Sequence, residues 1–416
     1  MAFLPALFVS DRRRVVVTGV GMITSAGQGW RANADAFQSG RTAFRRITLF
    51  DTTGQRVHEA GELTLPSRLP RHALREKIAS RLDRASRFLI HAGREAWDAA
   101  GWDEVPGGES IPLCLGTSAG AMSEGEAYYR LATATPPVRR GQARRVHLYQ
   151  THRQAAHLLE ALDFNGPVSL VANACASGAN AIGQGFRLLQ EGPWERALCG
   201  GYDALSLLVF AGFDSLQALT TTLPPRPFDA GRDGLALGEG AALLTLETLR
   251  SARRRGAPIL AEITGYGVAT DRHHLTQPHP EGDAALASMN AACREAGVSP
   301  LAIDYVNSHG TGTPLNDIAE GRAIQRWAGS GVGGVAVSST KASIGHLLGG
   351  AGAVEAAICL IAMKEQFLPP TTTVETPDPV CTFDFVRSPR EKVLRHVLTN
   401  SFGFGGANAT LVFSAL

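Results

Sequence analysis

Charge of one sign, paired cysteines and a clear membrane segment are all scarce in this chain. Its 416 residues carry 40 lysines and arginines against 38 aspartates and glutamates, a net charge of +2. That balance implies no general affinity for nucleic acid. The six cysteines, Cys114, Cys175, Cys199, Cys293, Cys359 and Cys381, are scattered with no CxxC. Neither a zinc site nor a disulfide framework is expected, and a reducing, cytoplasmic compartment fits best. A secretory signal is not expected either. In MAFLPALFVSDRRR the apolar stretch precedes the arginines, the reverse of a signal peptide, and residues 1 to 12 read as an overhang before the first strand. The one membrane-like run, Gly345 to Met363, is barely long enough to span, carries Glu355 and contains three central glycines. A helix apolar all round is more simply a buried one.

What is present is an ordinary globular composition, 44% hydrophobic and 19% charged. The length predicts two domains or two fused halves. The pairs Arg139–Arg140 and Arg144–Arg145, and the runs Arg12–Arg14 and Arg253–Arg255, read as solvated surface, with docking of an acidic partner protein as the alternative. Arg14 to Gly21 is a β-branched run ending in a turn, hence a strand. Ser80 to Gly101 reads as a helix, with Ser80 and Asp83 in a capping-box pattern and Gly101 as its stop. A short buried strand at 112 to 116 follows, then an exposed excursion at 132 to 150. Strand, cysteine turn and helix run from 168 to 191, with a strand at 197 to 201 and a loop region at 220 to 235. From Ala261 the pattern restarts: AEITGYG echoes VVVTGVG, and a capped helix at 283 to 297 echoes the first long helix. Strands at 304 to 309, 335 to 339 and 393 to 400 complete the echo. Two α/β halves are predicted, residues 13–260 and 261–416, each with a small-residue central helix. Two unrelated α/β domains are the alternative.

Four stretches carry candidate chemistry. Cys175, in VANACASGAN, sits between a strand and a helix among small residues that let a thioester approach. A helix N-terminus can lower a thiol pKa, and the backbone N–H at 175 can face an oxyanion. For the other five cysteines a structural core role is the reading. His309, in VNSHGTGTP, ends a strand beside an open glycine loop. His346, in STKASIGHLLGG, follows a strand and opens a buried helix, as Cys175 does in its own half. Lys341 needs a partner if buried, and Glu355 is the candidate. NSFGFGGAN, residues 400 to 408, frames Phe402 and Phe404 with small residues that suit a mobile aromatic gate. The cysteine and the two histidines converge only if the two halves face each other.

Together these residues resemble the beta-ketoacyl-acyl-carrier-protein synthases, elongating condensing enzymes of the thiolase superfamily, from about Arg14 to Phe413. ACASG, HGTGTP, STKASIGHLLGGAGAVE, NSFGFGG and RPFDAGRDGLALGEGA all occur in family order and spacing. The resemblance implies an α/β, thiolase-like five-layer αβαβα fold with internally duplicated halves. It implies decarboxylative condensation of an acyl-enzyme thioester with malonyl-acyl-carrier protein, in fatty-acid or polyketide elongation. It assigns Cys175 as nucleophile, His309 and His346 as the decarboxylation pair, Lys341 as their electrostatic support, and Cys175 with Phe404 as oxyanion hole and gate. Thr311 and Thr313 match threonines that contact the phosphopantetheine arm. Ala119, Phe213, His274, Thr276, Phe402 and Gly403 are placed along the substrate path. No metal or redox cofactor is implied, since substrates ride on the acyl carrier protein. The partners implied are that carrier and a second subunit: a homodimer, or a heterodimer with a chain-length-factor-like chain. No nucleic acid and no membrane are implied. Thiolases carry a second cysteine late in the chain, absent from 400 to 408. Initiating synthases resemble a Cys-His-Asn arrangement, and chain-length factors lack the cysteine. A non-catalytic partner subunit and the active member of a specialised-metabolite heterodimer are the alternatives. Ala119 stands where relatives often carry bulk, Gln217 where some carry a carrier-facing arginine, and 132 to 150 lacks the Ser-Pro-Phe-type stretch. A pocket altered for long, branched or unsaturated chains is the resulting expectation.

Overall fold

The computed structural model describes residues 12–104 and 109–416. The predicted N-terminal overhang lies, except for residue 12, outside them. Ten strands matter for the site: β1 (Val15–Thr24), β2 (Leu113–Gly116), β3 (Val168–Val171), β4 (Arg196–Asp203), β5 (Gly240–Thr248), β6 (Ala261–Thr270), β7 (Tyr305–Asn307), β8 (Ala336–Ser338), β9 (His396–Phe402) and β10 (Ala407–Ser414). Five helices accompany them: α1 (Arg84–Ala99), α2 (Ser177–Glu191), α3 (Asp283–Ala296), α4 (Pro314–Ala328) and α5 (Ala351–Glu365).

The strands form one mixed sheet in the order β8-β7-β9-β10-β6-β1-β5-β4-β2-β3. The same sequence of neighbours recurs on either side of its middle. β1, β5, β4, β2 and β3 run in the order and sense of β6, β10, β9, β7 and β8: two antiparallel pairings, then two parallel ones. Among the described residues the two halves of the sheet pair where Val15, Val16 and Val17 meet Ile263, Glu262 and Ala261. This narrow seam lets them fold into separate layers. α1 covers one outer face, α3 the other, and α2 and α5 lie back to back between the half-sheets.

Local chemistry explains the element ends. Asp83 alone caps α1, accepting the Ser86 N–H at 2.8 Å. Ser80, predicted as part of that cap, instead ends a preceding short helix at Glu76–Ala79, because the chain breaks once more before α1 starts. α3 has no side-chain cap; Gly282 occupies that position and Gly297, left-handed, ends it. The excursion at 132 to 150 is exposed through its middle; it begins at the end of a helix, Met122–Thr133, and contains a second, Ala143–Tyr149. The apolar run before Met363 is a buried helix: every residue of α5 from Ala351 to Met363 is buried. Among the described residues no helix is long and apolar enough to cross a membrane.

Small residues set the spacing of the central layer. A Cβ added at Gly352 would lie 2.8 Å from the Ala179 backbone nitrogen and 2.6 Å from Ser401 Oγ. One added at Gly178 would lie 2.8 Å from the Ala353 nitrogen. We therefore expect Gly352→Ala to cost roughly 1–3 kcal/mol through overpacking, read as a lowered denaturant midpoint. Gly212, whose added Cβ meets nothing within 4 Å, is the control: Gly212→Ala leaves the midpoint unchanged or raised. Equal behaviour of the two variants would refute tight packing of α2 on α5.

Candidate functional site

Cys175 follows the end of β3 in a single 3-10 turn, Ala174–Ala176, that runs straight into α2. Ala174 takes a left-handed backbone, φ +57°, a strain of roughly 1–3 kcal/mol for a residue with a Cβ. The Ser177 hydroxyl holds the turn, accepting the Asn173 N–H at 2.9 Å and donating to the Ala174 carbonyl at 2.6 Å. The thiol is thus delivered to the inner end of a cavity of about 280 Å³.

That cavity gathers residues from distant parts of the chain. His309, His346, Thr311, Thr313, Phe213, His274, Thr276, Phe402, Gly403, Phe404 and Gln217 line it with Cys175. Leu216, Leu275, Leu315 and Phe404 stand exposed around its mouth. Ala119 does not line it. It packs in an apolar cluster with Leu205, Phe210 and Leu348, against which Phe213 rests. Lys341 and Glu355 lie behind the cavity wall, buried, as an ion pair.

The two imidazoles meet edge to face, ring centres 5.3 Å apart. His309 follows β7. Its own N–H and that of Gly310 donate to Glu320 of α4 at 2.8 and 2.7 Å, and Asn400 Nδ2 donates to the same carboxylate at 3.1 Å. His346 was expected to open the buried helix. It lies instead between a short helix, Lys341–Ile344, and α5, in extended contact with Leu237: its N–H donates to Ala236 O at 2.7 Å and its carbonyl accepts from Gly238 N at 3.0 Å. The strand-like link to the first half displaces the helix start by five residues.

Proton positions follow from these partners. The Leu348 N–H donates to His346 Nδ1 at 3.0 Å. The Lys341 ammonium lies 3.4 Å from His309 Nδ1 and donates to the His309 carbonyl at 2.6 Å. Each Nδ1 is an acceptor, so each ring carries its proton on Nε2. Neither Nε2 has a protein partner among the described residues. Burial, with Lys341 and, for His309, the neighbouring His346, holds both imidazoles well below their ordinary pKa. Two neutral rings therefore offer two N–H donors.

The thiol behaves otherwise than the helix N-terminus alone suggests. Burial pushes Cys175 up to about 12, Lys341 pulls it down, and Asp203 and Glu355 push it further up. Desolvation wins, so the resting thiol is protonated. The Phe404 N–H faces the sulfur and favours its anion. Gly403 permits that approach, since a Cβ there would come within 3.1 Å of the Cys175 nitrogen. The Phe404 ring stacks on Phe213, centres 5.9 Å apart.

Three buried acids were not singled out from the sequence. Asp317 accepts from Thr311 N at 3.0 Å, from Gly312 N, and from Phe228 N at 2.7 Å, with buried Arg232 beside it. It fixes the turn that presents Thr311 and Thr313, whose hydroxyls lie 2.8 Å apart. Glu320 does the same for His309, and burial pushes its carboxyl up to about 7. Their i, i+3 spacing just after HGTGTP was the available signal, since it puts both on one helix face. Asp203, the third, had no such signal.

The doubled layers place the chain in the thiolase-fold class, among ketosynthases of known structure. Residues 12–252 match the family model "Beta-ketoacyl synthase, N-terminal domain" and 260–375 match "Beta-ketoacyl synthase, C-terminal domain". The chain belongs to the beta-ketoacyl synthase family. It is 37% identical over 411 residues to 3-oxoacyl-(acyl-carrier-protein) synthase 2 of Synechocystis sp., covering 97% of this chain and 98% of that protein. Among solved structures, the ishigamide ketosynthase/chain length factor superposes with a TM-score of 0.89 at 34% identity, covering 97% of this chain and 100% of that one. A beta-ketoacyl synthase from Burkholderia phymatum gives 0.88 at 33%, with the same coverage.

Two outcomes follow from the buried charges. Glu355→Ala strands the Lys341 ammonium and is expected to cost roughly 3–5 kcal/mol in a denaturant titration, much of it recovered by the double variant Lys341→Met/Glu355→Leu. A single variant of wild-type stability would contradict a buried ion pair. The depressed imidazole pKa values keep both rings neutral as pH falls through the ordinary imidazole value of ~6.5. Direct NMR titration of the His309 and His346 ring carbons is expected to show no protonation there; a midpoint near it would overturn the assignment.

Proposed function

We propose that this chain catalyses the decarboxylative Claisen condensation that lengthens an acyl chain on acyl carrier protein. The observation that carries the reading is the single cavity shared by Cys175, His309 and His346. Cys175 Sγ attacks the carrier thioester and loses its proton as the carrier thiol leaves. The oxyanion meets the backbone N–H groups of Cys175 and Phe404. Malonyl-carrier protein then loses carbon dioxide, and the negative charge growing on its thioester oxygen is met by the Nε2–H donors of His309 and His346. The enolate carbon attacks the acyl carbonyl, and the Cys175 thiolate leaves, giving the 3-oxoacyl thioester. Burial, with the charge of Lys341, keeps both rings neutral, and Lys341 orients His309. Thr311, Thr313, His274 and Thr276 line the path for the phosphopantetheine arm. Phe402 and Gly403 shape the wall near Cys175, the stacked rings of Phe213 and Phe404 form the gate, and no bound cofactor enters the steps. Residues 13–260 supply the sulfur and 261–416 both imidazoles, as two thiolase-like halves.

The naming of the Synechocystis relative supports acyl carrier protein as partner. A dimer is the working assembly, with a second copy or with a chain-length-factor-like subunit. The likeness to the ishigamide ketosynthase/chain length factor favours weighing the second. Ala119, small and in the apolar cluster beside Phe213, supports room for a long, branched or unsaturated chain.

Intact-mass analysis after incubation with acyl-carrier substrates tests the core claim. Wild type gains one acyl group and Cys175→Ala gains none. His309→Ala and His346→Ala are acylated at Cys175 but lose decarboxylation of malonyl-carrier protein by roughly 10²–10³-fold. Acylation surviving in Cys175→Ala would sink the proposal. For the pocket, Ala119→Ile is expected to shift the preferred acyl length downward in a ladder of substrates. An unchanged medium-chain optimum in both proteins would refute the enlarged pocket.

A further inference from the structure

Asp203 ends β4 and is fully buried, and among the described residues no cation pairs with it. Its carboxylate is surrounded by hydrogen-bond donors instead. The Thr117 hydroxyl donates at 2.6 Å, and the backbone N–H groups of Ser118, Ala119 and Gly120 at 3.0, 2.7 and 2.7 Å. The last donor comes from the other half of the chain: Gly349 N–H, at 2.6 Å. A carboxylate held only by uncharged donors is costly to bury, so the arrangement persists because these donors are fixed in place.

The position of Gly349 gives the contact its meaning. Its neighbour Leu348 donates the N–H that sets the His346 tautomer, and does so from a left-handed backbone, φ +51°. The Leu348 side chain packs in the same apolar cluster as Ala119. One carboxylate therefore grips the turn that carries Ala119 and the residue adjoining the His346 donor. We propose that Asp203 is a positioning residue that couples the apolar cluster around Ala119 to His346, holding the Leu348 N–H on Nδ1 so that Nε2 keeps its proton for the reacting oxygen. This rests on the reading of His346 as an enolate-stabilising donor.

The test uses Asp203→Asn with Asp203→Glu as the conservative variant, each in the full-length protein. Cys175 acylation is followed by intact mass and malonyl-carrier decarboxylation by carbon dioxide release. Asp203→Asn is expected to lose decarboxylation by roughly ten- to a hundred-fold in kcat with little change in KM and with acylation retained. Asp203→Glu restores part of it. A second readout separates positioning from loosening: removing the negative charge near the thiol moves the pH profile of iodoacetamide alkylation of Cys175 to lower pH, because Asp203 disfavours the thiolate. If Asp203→Asn does not fold, Thr117→Val removes one of the donors to Asp203, together with a second acceptor of the Gly120 N–H, and is expected to give a smaller loss in the same direction. Decarboxylation untouched in a folded Asp203→Asn or, failing that, in Thr117→Val, while His346→Ala abolishes it, overturns the proposal for Asp203. Decarboxylation untouched in His346→Ala overturns instead the reaction reading on which it rests.

Discussion

The closeness of α2 to α5 is the constraint from which the site follows. Gly178 and Gly352 leave no room for a Cβ between the helices, so the two half-sheets approach until the segments that follow β3, β7 and β8 share one space. Each segment then contributes what its own half carries: a sulfur from the first, two imidazoles from the second. Bulk at either glycine would separate these groups before any chemistry was altered. Dispersion and burial, not a specific polar contact, set the distance between the halves. Polar contacts such as Asp203 with Gly349 then fix the register across it.

Electrostatics in this closed space serve neutrality. The cation nearest the imidazoles, Lys341, sits on the acceptor side of His309 and is balanced by Glu355. Burial and, after it, this charge push protons off the rings. An imidazolium would bring full charge into an apolar cavity and would hold it before the reaction needed it. Neutral donors respond only as negative charge develops, which is the differential interaction catalysis requires. Glu320, Asp317 and Asp203 hold the loops by accepting backbone N–H groups, so the loop geometry is anchored by carboxylates that face away from the reacting atoms.

Much of this was legible in the residues themselves. The repeat of strand-turn-helix spacing anticipated the twofold sheet order. The all-apolar stretch ending at Met363 read as buried, and Glu355 as the partner of Lys341, since a lone buried ammonium is untenable. Where the reading of the residues fell short, a tertiary contact had intervened. His346 does not open α5 because residues 236 to 238 bind it as a strand. Ser80 does not cap α1 because it ends the short helix before it. The thiol is not acidified, because the second half closes over it and desolvation outweighs the helix end.

The sequence by itself determined the chemistry available: one thiol before a helix, two histidines in the second half, one buried lysine and a glutamate to balance it. These depend on local spacing and on the cost of burying charge, which a chain cannot evade. The tertiary structure decided which nitrogen of each imidazole holds the proton, where the thiol titrates, and that Ala119 lies beside the cavity and not in it. Those properties depend on contacts that only folding makes, such as Lys341 against His309 and Gly349 against Asp203, and on how deeply packing buries the groups.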